Sequence, residues 1–201
     1  AAAIVVTVIL SLNDETKILK RCLGKMMIRT LTKTDLTDVK NTFFNSFSIE
    51  EASITYPVIE ELITKDDKHK NLCMGYEVDG NIISAIGFSP VLFDGGIEVS
   101  AYILAPFATH KLHQKKGIGT QLIEAAKAHF IKKDVDALLV YGDPSYYSRY
   151  GFSVDLGKYF IPPYPLEYEF GWQAMMLSDR DVADEKLAFT CVNALSDAAL
   201  W

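Results

Sequence analysis

The feature that most narrows the folds open to this chain is a pair of tight-turn signals near its middle. Asp79-Gly80-Asn81 separates the apolar segments 74–78 and 82–88, and Asp94-Gly95-Gly96 separates 91–93 from 97–104. Asp-Gly and Gly-Gly pairs tolerate the positive φ angles of a short β-hairpin, so the strands they join run antiparallel. The centre of the chain therefore reads as an antiparallel meander of three or four strands. That excludes both an all-helical bundle and a uniformly parallel sheet.

Helical periodicity flanks the meander. Ahead of it, a strand at 27–31 leads to Thr34, a helix cap with Asp35 and Asp38 in the first turn. Leu36, Val39, Phe43 and Phe47 then recur at spacings of three and four, an amphipathic helix. Ser48 and Glu51 form a capping box for a second helix, and Pro57 starts a further turn with Val58, Ile59, Leu62 and Ile63 as its apolar side. Beyond the meander, Ile118, Leu122, Ala126 and Phe130 repeat every four residues, one stripe of a helix running to Lys133. A strand at 137–141 and a helical stretch at 143–150 follow, the latter ended by Gly151. Pro162, Pro163 and Pro165 mark a loop before strands near 173–177 and 187–192. The order predicts a mixed α/β (α+β) domain over 26–201, with residues 1–25 as an N-terminal extension.

Composition removes several functional classes. The net charge of −6 and a pI near 5.2 disfavour a nucleic-acid surface. The apolar run AAAIVVTVIL is shorter than the ~20 residues a membrane span needs and has no basic flank, so it reads as a buried or edge strand. Cys22, Cys73 and Cys191 form no CxxC and no even framework, which fits a reducing cytoplasm. His110 and His113 have no third or fourth metal ligand nearby, so they read as loop residues and no metal is expected.

The chemistry lies in Gln114-Lys115-Lys116-Gly117-Ile118-Gly119-Thr120, between a strand and a helix. A phosphate there meets unpaired N–H groups and the positive end of the helix dipole. Gly117 and Gly119 clear the approach, and Lys111, Lys115 and Lys116 add local charge. A dinucleotide fingerprint needs a third glycine in a βαβ unit, and a Walker loop needs GxxxxGK[ST]; both are absent. No Gly-x-Ser-x-Gly elbow occurs either.

Q-x-x-G-x-G followed by an amphipathic helix resembles the acetyl-CoA signature of the GNAT N-acetyltransferases, and Tyr147-Ser148-Arg149-Tyr150-Gly151-Phe152 resembles that family's downstream Y-x-x-x-G-F. The string Gly142-Asp143-Pro144-Ser145-Tyr146-Tyr147 is similar to the YhbS-like branch. The resemblance covers 27–177 and implies the GNAT fold, acetyl-CoA as cosubstrate and a small-molecule or peptide amine as acceptor. It implies that Phe107, Ala108 and Thr109 run beside the pantetheine arm, and that Gln114, Lys115, Lys116, Gly117, Ile118, Gly119 and Thr120 hold the pyrophosphate. Tyr146 falls on the cofactor side, and Asp143 stands where many members have asparagine. Tyr147 matches the tyrosine that protonates the departing thiolate, a role open to a phenol because its pKa near 10 keeps it protonated. Glu98, on the strand opposite the acyl site, is the expected base, acting through water. Homodimers are common among similar proteins. The alternative is an idle acyl-CoA-binding sensor. Tyr146, Tyr147, Tyr150, Phe152, Tyr159 and Phe160 fit either an acceptor pocket or ordinary core, and 164–172, with Glu167 and Glu169 among aromatics, fits a surface facing an amine.

Overall fold

A computed structural model describes residues 26–65, 70–93, 95, 98–182 and 186–201. The apolar run at 1–10 and Cys22 lie outside the described residues. Asp79 at φ +51° and Gly80 at φ +87° turn the chain through a two-residue hairpin that joins β2 (Leu72–Val78) to β3 (Asn81–Phe93). Two consecutive positive φ values match the right-handed twist of the flanking strands. β1 (Met26–Thr30) lies antiparallel to β2, and β4 (Ala101–Thr109) lies antiparallel to β3. The meander is thus present, with different bounds. β3 runs unbroken through Phe93, and β4 begins at Ala101 where 97 was expected. Ser100 instead anchors to Asp136, whose Oδ2 accepts its N–H at 2.9 Å. Gly95, at φ +77°, is the described residue of the second turn signal.

Two helices pack on one face of the sheet, α1 (Leu36–Phe44) and α2 (Ile49–Thr64). Thr32, not Thr34, starts this region: a capping box joins it to Asp35, and a 3-10 turn over Lys33–Asp35 leads into α1. The Ser48–Glu51 box caps α2 as the spacing predicts. Pro57 does not start a new turn but lies inside α2. Ala52, Tyr56, Ile59 and Leu62 are buried on both sides of it along one face, so packing on the sheet outweighs the lost N–H.

α3 (Ile118–Ile131) covers the other face, burying Leu122, Ile123, Ala126 and Phe130. It returns the chain to β5 (Ala137–Tyr141), which pairs parallel with β4. The predicted helical stretch is two short pieces, α4 (Pro144–Tyr147) and a 3-10 turn over Ser148–Tyr150, closed by Gly151 at φ +100°. After α5 (Val154–Gly157) comes β6 (Phe160–Ile161), then β7 (Trp172–Met176) antiparallel to β5, and β8 (Leu187–Thr190). The sheet order is β1-β2-β3-β4-β5-β7, with β8 on the far end of β3 and β6 parallel to β8. β6 had no signal in the sequence, because two residues carry no periodicity. Cys73 is buried and Cys191 half-buried, and among the described residues no helix is long and apolar enough to cross a membrane.

Candidate active site

The site forms where two parallel strands separate. Ala101–Leu104 of β4 pair with Ala137–Val140 of β5, and there the pairing stops. β4 continues along β3, but between the pairs Phe88↔Leu104 and Ile86↔Phe107 it carries one residue more than its partner. Such a bulge bends the strand that holds it. β5 meanwhile ends at Tyr141, and Gly142 turns toward α4. The half of β4 from Ala105 onward is therefore left with an open edge. The N–H of His110 donates to the Ile83 carbonyl at 2.9 Å. By the alternation of an antiparallel ladder, Ala108 also faces β3, while the peptide groups of Phe107 and Thr109 face the open edge.

The N-terminus of α3 closes that edge. Gly117, at φ +76°, is its cap and offers no side-chain bond, so the first-turn N–H groups of Ile118, Gly119 and Thr120 have no partner within the helix. A β-carbon on Gly119 would stand 2.6 Å from the Tyr146 hydroxyl and 2.9 Å from Phe107 Cζ. Glycine is thus required at 117 by backbone angle and at 119 by crowding. Gln114 ties the loop down, its Nε2 donating to the Thr109 carbonyl at 2.9 Å. Lys116 donates to the Leu112 carbonyl, and Lys115 is exposed at φ +59°.

A cleft of about 540 Å³ results. Of the residues expected to hold a cofactor, it brings together Phe107, Ala108, Thr109, Gln114, Lys115, Gly117, Ile118, Gly119, Thr120 and Tyr146. Lys116 and Asp143 do not line it. The Asp143 carboxylate caps α4 instead, accepting from the Ser145 N–H and hydroxyl at 2.8 and 2.7 Å, bonds that hold it below the usual carboxylate range. Glu98 is not brought to the cleft. It precedes β4, where its carbonyl accepts from Arg180, and the strand from Ala101 to Thr109 places about 26 Å between that end and the loop.

The cleft also takes in Ser46, Phe47, His113, Arg149 and Tyr150. Ser46 and Phe47 come from the α1–α2 connection: Ser46 had no local signal, and Phe47 was expected on the α1 stripe, but the helix ends at Phe44. Arg149 did have one: it follows Tyr146 by three residues in a helical segment, so the two share a face. Its guanidinium stacks 4.3 Å from the Tyr146 ring and its Nε donates to the Tyr146 carbonyl at 2.8 Å. His113 is held below its ordinary pKa by burial, with Lys116 and His110 adding to the effect.

Tyr147 stands beside the cleft rather than in its lining. Its ring meets Tyr146 at 5.0 Å and Phe152 at 5.8 Å, both edge-on. It also fills the space over Gly142, where a β-carbon would lie 2.5 Å from Tyr147 Cε2. Burial pushes its phenol above the ordinary range, so it is protonated at neutral pH.

A sheet that parts between two parallel strands over a glycine-opened helix terminus defines the acyltransferase class to which the motifs pointed. The chain matches the model of the acetyltransferase (GNAT) family over residues 36–152, more than half its length, and belongs to that family. Among solved structures it is similar to the GNAT family N-acetyltransferase YhbS from Escherichia coli in complex with CoA, at 20% identity and a TM-score of 0.75, covering 87% of this chain and 93% of that one. It is also similar to a GNAT family acetyltransferase from Brucella melitensis in complex with acetyl-CoA, at 22% identity and a TM-score of 0.66, covering 85% and 98%. The PaiA N-acetyltransferase from Thermoplasma acidophilum, in complex with coenzyme A, shares 16% identity with a TM-score of 0.56 over 76% of this chain and 99% of that one. No curated protein matches the chain.

Proposed function

We propose that this protein transfers the acetyl group of acetyl-CoA to a primary amine by direct attack. The observation that carries the reading is the open edge of β4 lying against the Gly117–Thr120 helix terminus in one cleft. The CoA and acetyl-CoA held by relatives of this fold support it. The residues present suit that cosubstrate. The N–H groups of Ile118, Gly119 and Thr120 receive the pyrophosphate, with Lys115 and Arg149 supplying charge at the rim. The amide-rich pantetheine arm pairs with the peptide groups of Phe107 and Thr109 as an added strand would. Pro106 lies in the bulge and has no N–H, so the donor that polarises the thioester carbonyl falls to Phe107 or Thr109.

The unprotonated amine nitrogen attacks the carbonyl carbon and a C–N bond forms. The C–S bond breaks as the tetrahedral adduct collapses. The thiolate takes a proton from the Tyr147 hydroxyl, and the proton lost by the amine nitrogen restores the phenol through solvent. Among the described residues no carboxylate lines the cleft, so water there takes that proton.

Thermal unfolding with acetyl-CoA, and with NAD as control, tests the reading. Ligand at 100 times its Kd adds about 2.7 kcal/mol, which for a domain of this size raises Tm by about 5–10 °C. The expected result is a shift with acetyl-CoA alone, followed by amine-dependent release of free thiol. No shift with acetyl-CoA, or a larger one with NAD, overturns it.

A further inference from the structure

A second cavity, of about 490 Å³, is lined by Tyr141, Gly142 and Asp143 at the end of β5. Tyr147 links the two. Its ring packs on Tyr146, which lines the cleft, and across Gly142, which lines the second cavity. A two-substrate transfer needs the acceptor amine close to the donor's reacting carbon, and this cavity sits at the end of β5, the strand from which β4 parts to open the cleft.

The walls of the second cavity define what it takes. Tyr141, Tyr168, Phe170 and Trp201 supply four aromatic rings, Asp143 and Glu167 are its two acidic residues, and among the described residues no lysine, arginine or histidine lines it. Tyr168 and Phe170 are 53% and 63% exposed, so core packing does not account for them. They are nonetheless held in place: the Tyr168 N–H donates to the Tyr141 hydroxyl at 2.9 Å, and the two rings lie 5.7 Å apart. Beneath them the fully buried Gln173 uses its Nε2 to hold the Gly142 and Gly171 carbonyls, at 3.1 and 3.4 Å, which fixes two backbone walls of the same cavity. Aromatic faces and carboxylates both attract cations and repel anions.

We infer that this cavity is the acceptor subsite, and that it selects small primary amines that are cationic, carry an aromatic or apolar body and bear no carboxylate. The inference rests on the reading of the cleft as the acetyl-CoA site. An arylalkylamine fits the walls, whereas an amino acid of the same skeleton brings a carboxylate against Asp143 and Glu167.

Phenethylamine and phenylalanine differ only by that carboxylate, so they form the test. The expected result is at least a tenfold higher kcat/KM for phenethylamine. Glu167→Gln should narrow the ratio to below threefold, and Phe170→Ala should raise KM for phenethylamine about fivefold. Both side chains are exposed, so neither variant threatens folding. Phenyltrimethylammonium, which cannot be acylated, should compete with phenethylamine. Equal use of the two amines, turnover of neither, or a ratio unmoved by Glu167→Gln overturns the inference. Acetyl-CoA stabilisation measured on the same proteins separates the two ideas: a normal shift with any of those results sinks the acceptor assignment alone, and a missing shift in the unmodified protein sinks the donor site and the acceptor assignment with it.

Discussion

Replacing Gly119 by alanine puts one methyl group into the most crowded point of the cleft. Its carbon would lie 2.6 Å from the Tyr146 hydroxyl and 2.9 Å from Phe107 Cζ. To reach an ordinary contact of about 3.5 Å, the two rings must retreat by roughly 0.9 and 0.6 Å. Neither is free to do so cheaply. Tyr146 is packed by Tyr147 at 5.0 Å, Tyr150 at 5.6 Å and Arg149 at 4.3 Å. Overpacking of this kind costs about 1–3 kcal/mol, and alanine's better helix propensity returns about 1 kcal/mol. The net loss of stability is therefore about 0–2 kcal/mol, a fall of at most ~8 °C in Tm. The effect on acetyl-CoA is larger. The methyl group and the displaced rings occupy the space in front of the Gly119 N–H, removing one charge-assisted hydrogen bond worth about 1.5–3 kcal/mol, or about 10- to 150-fold in Kd. Calorimetric titration with CoA, paired with thermal melts, measures both quantities. An affinity within twofold of the unmodified protein would refute the placement of the pyrophosphate at this helix terminus.

Other substitutions probe the remaining links. Tyr147→Phe should lower kcat by about 10²–10⁴ with CoA affinity unchanged; equal turnover in steady-state thiol release removes the phenol from the reaction. Gly142→Ala sets a methyl 2.5 Å from Tyr147 Cε2 and should lower kcat while leaving the KM for acetyl-CoA alone; a change in KM only would show that this ring does not serve the chemistry. Arg29 bonds Asp35 at 2.7 Å and holds its carboxyl down to about 2 against 3.8. Folding therefore favours the ionised form, and about 2 kcal/mol of stability is present above pH 4 and lost as pH falls toward 2. Asp35→Asn should flatten that acid limb in urea titrations, and an unchanged limb would remove the pair from the account. Phe88→Ala empties a fully buried site where Phe88 meets Phe130 edge-on at 5.0 Å; it should cost about 3–5 kcal/mol, and a loss below 1 kcal/mol by denaturant midpoint would contradict that packing.

Signals that act over a few residues were legible without the fold. The Asp79-Gly80 hairpin, the Ser48–Glu51 capping box, the α3 stripe and the turn at Gly117 are set by local backbone angles and by periodicity, and the structure places each as its pattern predicts. The family, too, was written in two short motifs. What lay beyond reach was long-range direction. Glu98 lies just before β4 and Phe107 near its other end, and the chain alone does not say at which end the cleft forms. That is decided where the bulge turns β4 away from β5. Pro57 signals a helix start locally, yet the sheet beneath α2 holds the helix continuous through it. Ser46 and Phe47 enter the cleft from the α1–α2 connection, and Tyr147 packs against Tyr146 at the cleft wall because Gly142 leaves room for its ring. Backbone angles are a property of neighbours in sequence, whereas a cleft is a property of elements that meet only after the sheet has formed.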